Sequence, residues 1–212
     1  FPFGIFAIAA STAILPTLSR QAADREFDEL KHTFAHALRL VFFISIPAMV
    51  GLIILREPIV ALLFERGEFD AAATQLTIQA VLYYSLGLWA FSAVRIVAAT
   101  FFALQDARTP VRIAIISIMA NILLAVILMK PLAHGGLALA TSLASMLNLV
   151  LLMHALSARL GSLDWKNIVQ SAGKAFLSSL VMGMVVWAAA RTLIPPGSRT
   201  FSGLLAGVVA CI

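Results

Sequence analysis

Cysteine is nearly missing from this chain: Cys211 is the single one in 212 residues. That rules out an internal disulfide and any metal cluster built from cysteines. Charge is scarce as well, with Asp, Glu, Lys and Arg making up 12% of the residues, against about 25% in a soluble domain. None of the long apolar runs holds an Asp or Glu at depth. A hydrolase or proton relay working inside a membrane needs such carboxylates, or a nucleophile with its base. No Gly-Lys phosphate cradle occurs, and no basic run is interleaved with aromatics. These absences speak against nucleotide hydrolysis and nucleic-acid binding. The expectation is a chain that is not an enzyme and holds no cofactor and no metal. His32 and His36 have the i, i+4 spacing of a ligand pair, but no carboxylate accompanies them with a clear geometric role, so they read as solvated surface residues.

What is abundant is hydrocarbon. Hydrophobic residues make up 61% of the chain and mean hydropathy is +0.99. The apolar residues come in blocks near the roughly 20 residues that a helix needs to cross a bilayer, and no alternating strands of about 10 residues suggest a barrel. The fold class is therefore all-α, a polytopic helical membrane protein. The spacing predicts spans over 1–18, 38–55, 76–104, 113–129, 137–156, 175–194 and 201–212, with an amphipathic surface helix over 21–36. The chain lacks an initiator Met and starts and stops within apolar stretches, so a fragment of a larger transporter-sized protein is expected.

Polar and small residues inside these blocks mark where function or packing intrudes. Pro2, Gly4, Ser11, Thr12 and Pro16 interrupt the first span. They fit a kinked, packed helix or the wall of a water-filled cavity, since both satisfy the backbone groups that a kink releases. Phe27, Leu30, Phe34 and Leu38 form one stripe leading into the second span. Arg95 lies about nine residues, roughly 13 Å of helix, before the next polar break. At that depth it is either a snorkelling or paired structural arginine or a functional one. Pro131, Gly135 and Gly136 predict a tight turn. Gly136, Ala140, Ala144 and Asn148 follow at steps of four, a spacing that lets helices approach closely and lets the Asn bond across the contact. Ala175, Ser179 and Gly183 repeat the pattern.

The polar break Thr100–Arg112 is the most informative short stretch. Gln105 opens it, Asp106 and Arg108 can set a turn, and Thr109 with Pro110 starts the next helix, proline being well placed in a first turn. Arg112 can reach headgroups. An anchor for topology is one reading and a substrate contact the other. With seven spans the connections alternate sides. One set carries Arg20, Arg25, Lys31, Arg39, Arg108, Arg112, Arg159, Lys166 and Lys174, and the other only Arg56, Arg66, Lys130, Arg191 and Arg199. The excess of Lys and Arg puts the first set, and with it the Gln105–Arg112 turn, in the cytoplasm.

Several stretches carry a resemblance. They are Pro2–Ala9 with Ser11-Thr12, Leu15–Arg20, Leu38-Arg39-Leu40 before a proline-containing span, Leu63–Asp70, Gln105–Arg112 and His134–Ser142. In this order the chain resembles the C-terminal half of the MurJ/MviN family, bacterial lipid II flippases of the MATE-like exporter superfamily. The resemblance implies a fourteen-helix protein of two lobes, of which these spans are the eighth through a truncated fourteenth. It implies a bacterial cytoplasmic membrane location and membrane lipids as surroundings, with a missing N-terminal lobe as partner. The implied substrate is lipid II, the undecaprenyl-diphosphate-linked disaccharide-pentapeptide, moved to the periplasmic leaflet by alternating access. Cationic cavity residues would meet its diphosphate. The family's best-known cavity arginines fall outside this chain. The expected substrate path here is Phe3, Gly4, Ser11 and Thr12 of the eighth span, together with Arg95, and the last two spans would flank a groove suited to the prenyl tail. An exporter of another polyprenyl-linked oligosaccharide and a non-transporting membrane scaffold are the alternatives.

Overall fold

The computed structural model describes residues 2–64, 71–161 and 163–193, and among them every element is a helix. In order these are α1 (Pro2–Ala23), α2 (Phe27–Ile54), α3 (Arg56–Phe64), α4 (Ala71–Leu86), α5 (Leu88–Ala103), α6 (Arg108–Leu160) and α7 (Trp165–Leu193). Phe27–Ile54, Arg108–Leu132, His134–Leu160 and Lys166–Ala189 are each long and apolar enough to cross a membrane, and α4 with α5 makes a fifth candidate as a bent pair. The last expected span, 201–212, and residues 65–70 of the Leu63–Asp70 stretch lie outside the described residues.

Helix α5 is the centre of the lobe. It packs against α1, α2 and α6, and Ala90, Ala93, Ile96 and Val97 on it are fully buried. Its small side chains allow three neighbours to approach closely, a requirement in lipid, where packing rather than hydrophobicity holds helices together. Helix α7 lies on α2 along the Ala175, Ser179 and Gly183 stripe. A Cβ added at Gly183 would stand 2.8 Å from both Ile54 Cδ1 and Val50 Cγ1.

Three local expectations are corrected. The polar stretch 21–36 is not a separate surface helix. α1 runs on through Ala23, and α2 then starts at Phe27 and continues unbroken to Ile54. No glycine or proline separates residues 36 and 38, and Leu30, Phe34 and Leu38 bury one continuous stripe at the start of α2. The long stretch 76–104 is broken at Gly87, where α4 and α5 meet at 42°. The tight turn near residue 133 does not use the dihedral freedom of Gly135 or Gly136. It is made by Ala133, at φ 47° and ψ −126°, the first central position of a type II′ turn.

Both glycines are instead buried because other groups press on them. A Cβ at Gly135 would meet the Tyr83 ring at 2.7 Å, and one at Gly136 would overlap the Leu128 carbonyl. Asn148 also departs from expectation. Its side-chain oxygen is buried and has no hydrogen-bond partner among the described residues.

Candidate functional site

Two regions carry the residues singled out from the sequence. The first is the outer face of α1 and α5. The two helices pack side by side, and Leu18 and Ala103 belong to one buried cluster near their C-terminal ends. Counting back six or seven residues from Leu18 and eight from Ala103, roughly 9–12 Å of helix, brings Ser11–Thr12 and Arg95 to a similar depth. Thr12 is exposed and Ser11 half-buried. Both hydroxyls donate to the Ile8 carbonyl at 2.9 Å, which satisfies them in an apolar setting and leaves their oxygens free to accept. Pro16, also exposed on α1, has no N–H to offer the Thr12 carbonyl four residues back. The α1 face is therefore polar around Thr12 although its composition is aliphatic.

Arg95 and Phe102 are the exposed side chains of α5, and among the described residues no carboxylate lies within ion-pair distance of Arg95. Phe3 and Gly4 sit on the α1 backbone, but their surroundings lie outside the described residues. The structure thus brings Ser11, Thr12 and Arg95 to one level on adjoining helices.

The second region is the α5–α6 turn, at the far end of α5 from Gly87. It closes as a Schellman motif, in which Asp106 N–H bonds the Phe101 carbonyl at 2.9 Å and Gln105 N–H bonds the Phe102 carbonyl at 3.0 Å. Gln105 takes the left-handed position at φ 57°, where glycine is usual. The α1–α2 turn repeats the motif, with Glu26 N–H bonding the Gln21 carbonyl at 2.9 Å and Arg25 at φ 58°.

Asp106 holds the start of α6. Its carboxylate accepts from the Thr109 N–H at 3.1 Å and the Thr109 hydroxyl at 2.7 Å, and it pairs with Arg159 from the last turn of the same helix. The Thr109 hydroxyl, the Thr109 N–H and the nearby Arg159 charge together hold this carboxyl below the usual carboxylate range, against a smaller opposing effect of burial. Pro110 is buried, while Arg108 and Arg112 are exposed. The turn is bonded within itself and to the end of α6. Arg159 was not singled out as its partner, although its place in the last basic turn of α6, at the same expected membrane face, was a usable signal.

Two hollows lie beside these regions. A cleft of about 670 Å³ opens between the two Schellman turns, lined by Ser19, Phe27, Lys31, Phe102, Gln105 and Arg159 among others. An apolar groove of about 590 Å³ runs between α2, α6 and the first turns of α7, walled by Leu38, Phe42, Met153 and Val169, with His154 among its lining residues. No group of three or more His, Cys, Asp or Glu side chains with metal-binding geometry occurs among the described residues.

Comparison with known proteins gives this arrangement its family. The family model described as lipid II flippase MurJ matches residues 1–202. The chain belongs to the MurJ family. A probable lipid II flippase MurJ of Vibrio cholerae is 37% identical over 188 residues, covering 88% of this chain and 36% of that protein. One from Haemophilus influenzae is 36% identical over 200 residues, covering 88% and 38%. A Burkholderia cenocepacia protein named lipid II flippase MurJ is 31% identical over 159 residues, covering 75% and 31%. The solved structure of a lipid II flippase MurJ in an inward closed conformation superimposes with a TM-score of 0.78 at 27% identity, over 99% of this chain and 42% of that one. The chain therefore spans about a third of the length of the curated relatives it matches, and its helical lobe has the fold of a MurJ-family membrane transporter.

Proposed function

We propose that this chain is the C-terminal lobe of a lipid II flippase. It would work with an N-terminal lobe in the bacterial cytoplasmic membrane, moving undecaprenyl-diphosphate-linked disaccharide-pentapeptide from the cytoplasmic to the periplasmic leaflet by alternating access. Such a protein catalyses no bond-making step. The observation that carries the reading is the exposed Arg95, level with Ser11 and Thr12 and without an ion-pair partner among the described residues. An uncompensated arginine in the bilayer is costly unless it faces water or an anionic partner, and a guanidinium is suited to bidentate recognition of phosphate oxygens. On this reading the α1–α5 face forms one wall of the central cavity, with Phe3 and Gly4 continuing it along α1. Arg95 meets the diphosphate, while the hydroxyls of Ser11 and Thr12 line the path of the polar headgroup. Gln105, Asp106, Arg108, Thr109, Pro110 and Arg112 serve as a cytoplasmic anchor and not as a substrate contact.

The full-length protein tests this in a cell depleted of its own flippase, with lipid II exposed on the outer leaflet as the readout. Wild-type protein should restore exposure. Arg95→Ala should lower it about tenfold or more at equal protein level, Arg95→Lys should retain part, and Thr12→Trp should lower it by obstruction. Wild-type protein that leaves lipid II inside, while exporting another polyprenyl-linked glycan, would overturn the substrate assignment. Normal exposure with Arg95→Ala would remove Arg95 from the path.

A further inference from the structure

The break between α4 and α5 is joined by a hydrogen bond from a third helix. In an unbroken helix the Tyr83 carbonyl would accept from the Gly87 N–H four residues on. Here Gly87 N–H donates to the Tyr84 carbonyl at 3.1 Å, a tighter i→i+3 turn. The Tyr83 carbonyl accepts instead from the Ser142 hydroxyl at 2.6 Å. Ser142 lies on α6, 59 residues away in sequence, and is fully buried. Other hydroxyls in these helices behave differently: Ser85, Ser92, Thr100, Thr141 and Ser145 each donate to the carbonyl four residues back in their own helix.

Gly87 makes the crossing possible through space and not through unusual dihedrals. Its φ and ψ are −87° and −8°, open to any residue. A Cβ there, however, would stand 2.6 Å from Ser142 Oγ and 2.9 Å from Phe91 Cε2.

We propose that Gly87 and Ser142 form a hinge with two states, each of which keeps the Gly87 N–H, the Ser142 hydroxyl and the Tyr83 carbonyl bonded. In the bent state, seen here, Ser142 serves the Tyr83 carbonyl and Gly87 N–H serves the Tyr84 carbonyl. In the straighter state Gly87 N–H returns to the Tyr83 carbonyl, and the Ser142 hydroxyl turns back to the Ala138 carbonyl of its own helix, as Thr141 and Ser145 already do to theirs. Neither state strands either donor or the Tyr83 carbonyl, which matters where water is absent and an unpaired group is costly.

The moving part is α4. Helix α5 is held closely by three neighbours, α1, α2 and α6, whereas α4 packs closely on α6 alone and touches α2 and α3 less, so a change of angle slides it along α6. The Tyr83 contact with Gly135 lies only four residues, about 6 Å, from the pivot and shifts least. The far end of α4, about 24 Å from the pivot, moves about 4 Å for a 10° change and about 17 Å if the whole 42° were lost. The hinge does not depend on which lipid is carried.

Spin-label distances on the full-length protein test it. Labels replace Ile8 on α1 and Gln75 on α4, both exposed, with other cysteines removed and the protein in phosphatidylethanolamine–phosphatidylglycerol vesicles. The wild-type protein should show two distance populations several ångströms apart. Ser142→Ala removes the donor that the bent state requires and should move the ratio about tenfold toward the straighter state. Gly87→Ala, by excluding the Ser142 hydroxyl, should move it in the same direction. A single population in the wild-type protein, or a ratio that neither substitution moves, would overturn the proposal. The wild-type measurement decides even if a variant folds poorly.

Discussion

The elbow at Gly87 and the reversals at Gln105 and Ala133 are all interruptions of helix, yet they are held in opposite ways. At the elbow the glycine has ordinary dihedrals, and the released carbonyl is served by a hydroxyl from another helix. At the reversals, non-glycine residues stand at positive φ beside contacts made within the turn and its own helix. Gly136 is pressed against the Leu128 carbonyl, while Asp106 is bonded to both ends of α6. A bend held by an exchangeable hydrogen bond can change its angle. A bend held by backbone contact or by a capped ion pair fixes where the next span begins.

The strongest way to break the contrast is Gly136→Val. Side-chain atoms would overlap the Leu128 backbone, which cannot rotate aside, so a loss of about 3 kcal/mol or failure to fold is expected. The readout is thermal unfolding in detergent. If the variant melted like wild type, the reversal would be looser than described, and the distinction from the elbow would fail. Ala133→Gly sharpens the comparison with the opposite sign. It relieves a dihedral pair that alanine adopts at a cost of about 1–3 kcal/mol, partly offset by the greater freedom of glycine in the unfolded chain. A stabilisation of about 1 kcal/mol should appear as a raised Tm. Neither substitution should change the α1–α4 label distances, whereas Ser142→Ala should.

A smaller effect is expected at the other reversal. Asp106→Asn removes the charged cap and the Arg159 partner, costing about 1 kcal/mol near neutral pH. Asp106 has a lowered carboxyl pKa in the folded state, so its stabilisation is complete above the unfolded-state value. It is lost as pH falls from about that value, 3.8, through the lower folded one. Unfolding followed from neutral pH down through this window should show a decline in the wild-type protein that Asp106→Asn lacks. An equal decline in both would assign the acid sensitivity elsewhere. Arg159→Gln should cost less than Asp106→Asn, because the arginine side chain is 45% exposed and water screens its charge.

Much of the lobe was legible in the sequence because bilayer physics acts on local pattern. Apolar run length gave the helical class. The count of Lys and Arg in alternate connections gave a sidedness, and the Gln105–Arg112 wording pointed to the family that comparison then established. The Asp106 and Thr109 cap was readable for the same reason, since its partners lie within three residues of each other. Arg95 was visible as an anomaly of depth. Its exposure and its level with Thr12 were not, because they depend on which side of α5 the neighbouring helices cover. The stripe of Gly136, Ala140 and Ala144 suggested close packing, yet the Asn148 side-chain oxygen finds no partner among the described residues. Spacing identifies a helix face without saying what stands opposite.

The sequence by itself determined an all-helical membrane lobe, the apolar lengths of its helices, its charge asymmetry and its family motifs. All of these follow from residue type and neighbours along the chain. Only the tertiary structure decided that the stretch 76–104 bends at Gly87, that Ala133 takes the strained position beside two glycines, and that Ser142 serves the Tyr83 carbonyl. Each of these depends on α4 meeting α6 in space, and a partner 59 residues away leaves no mark on local periodicity.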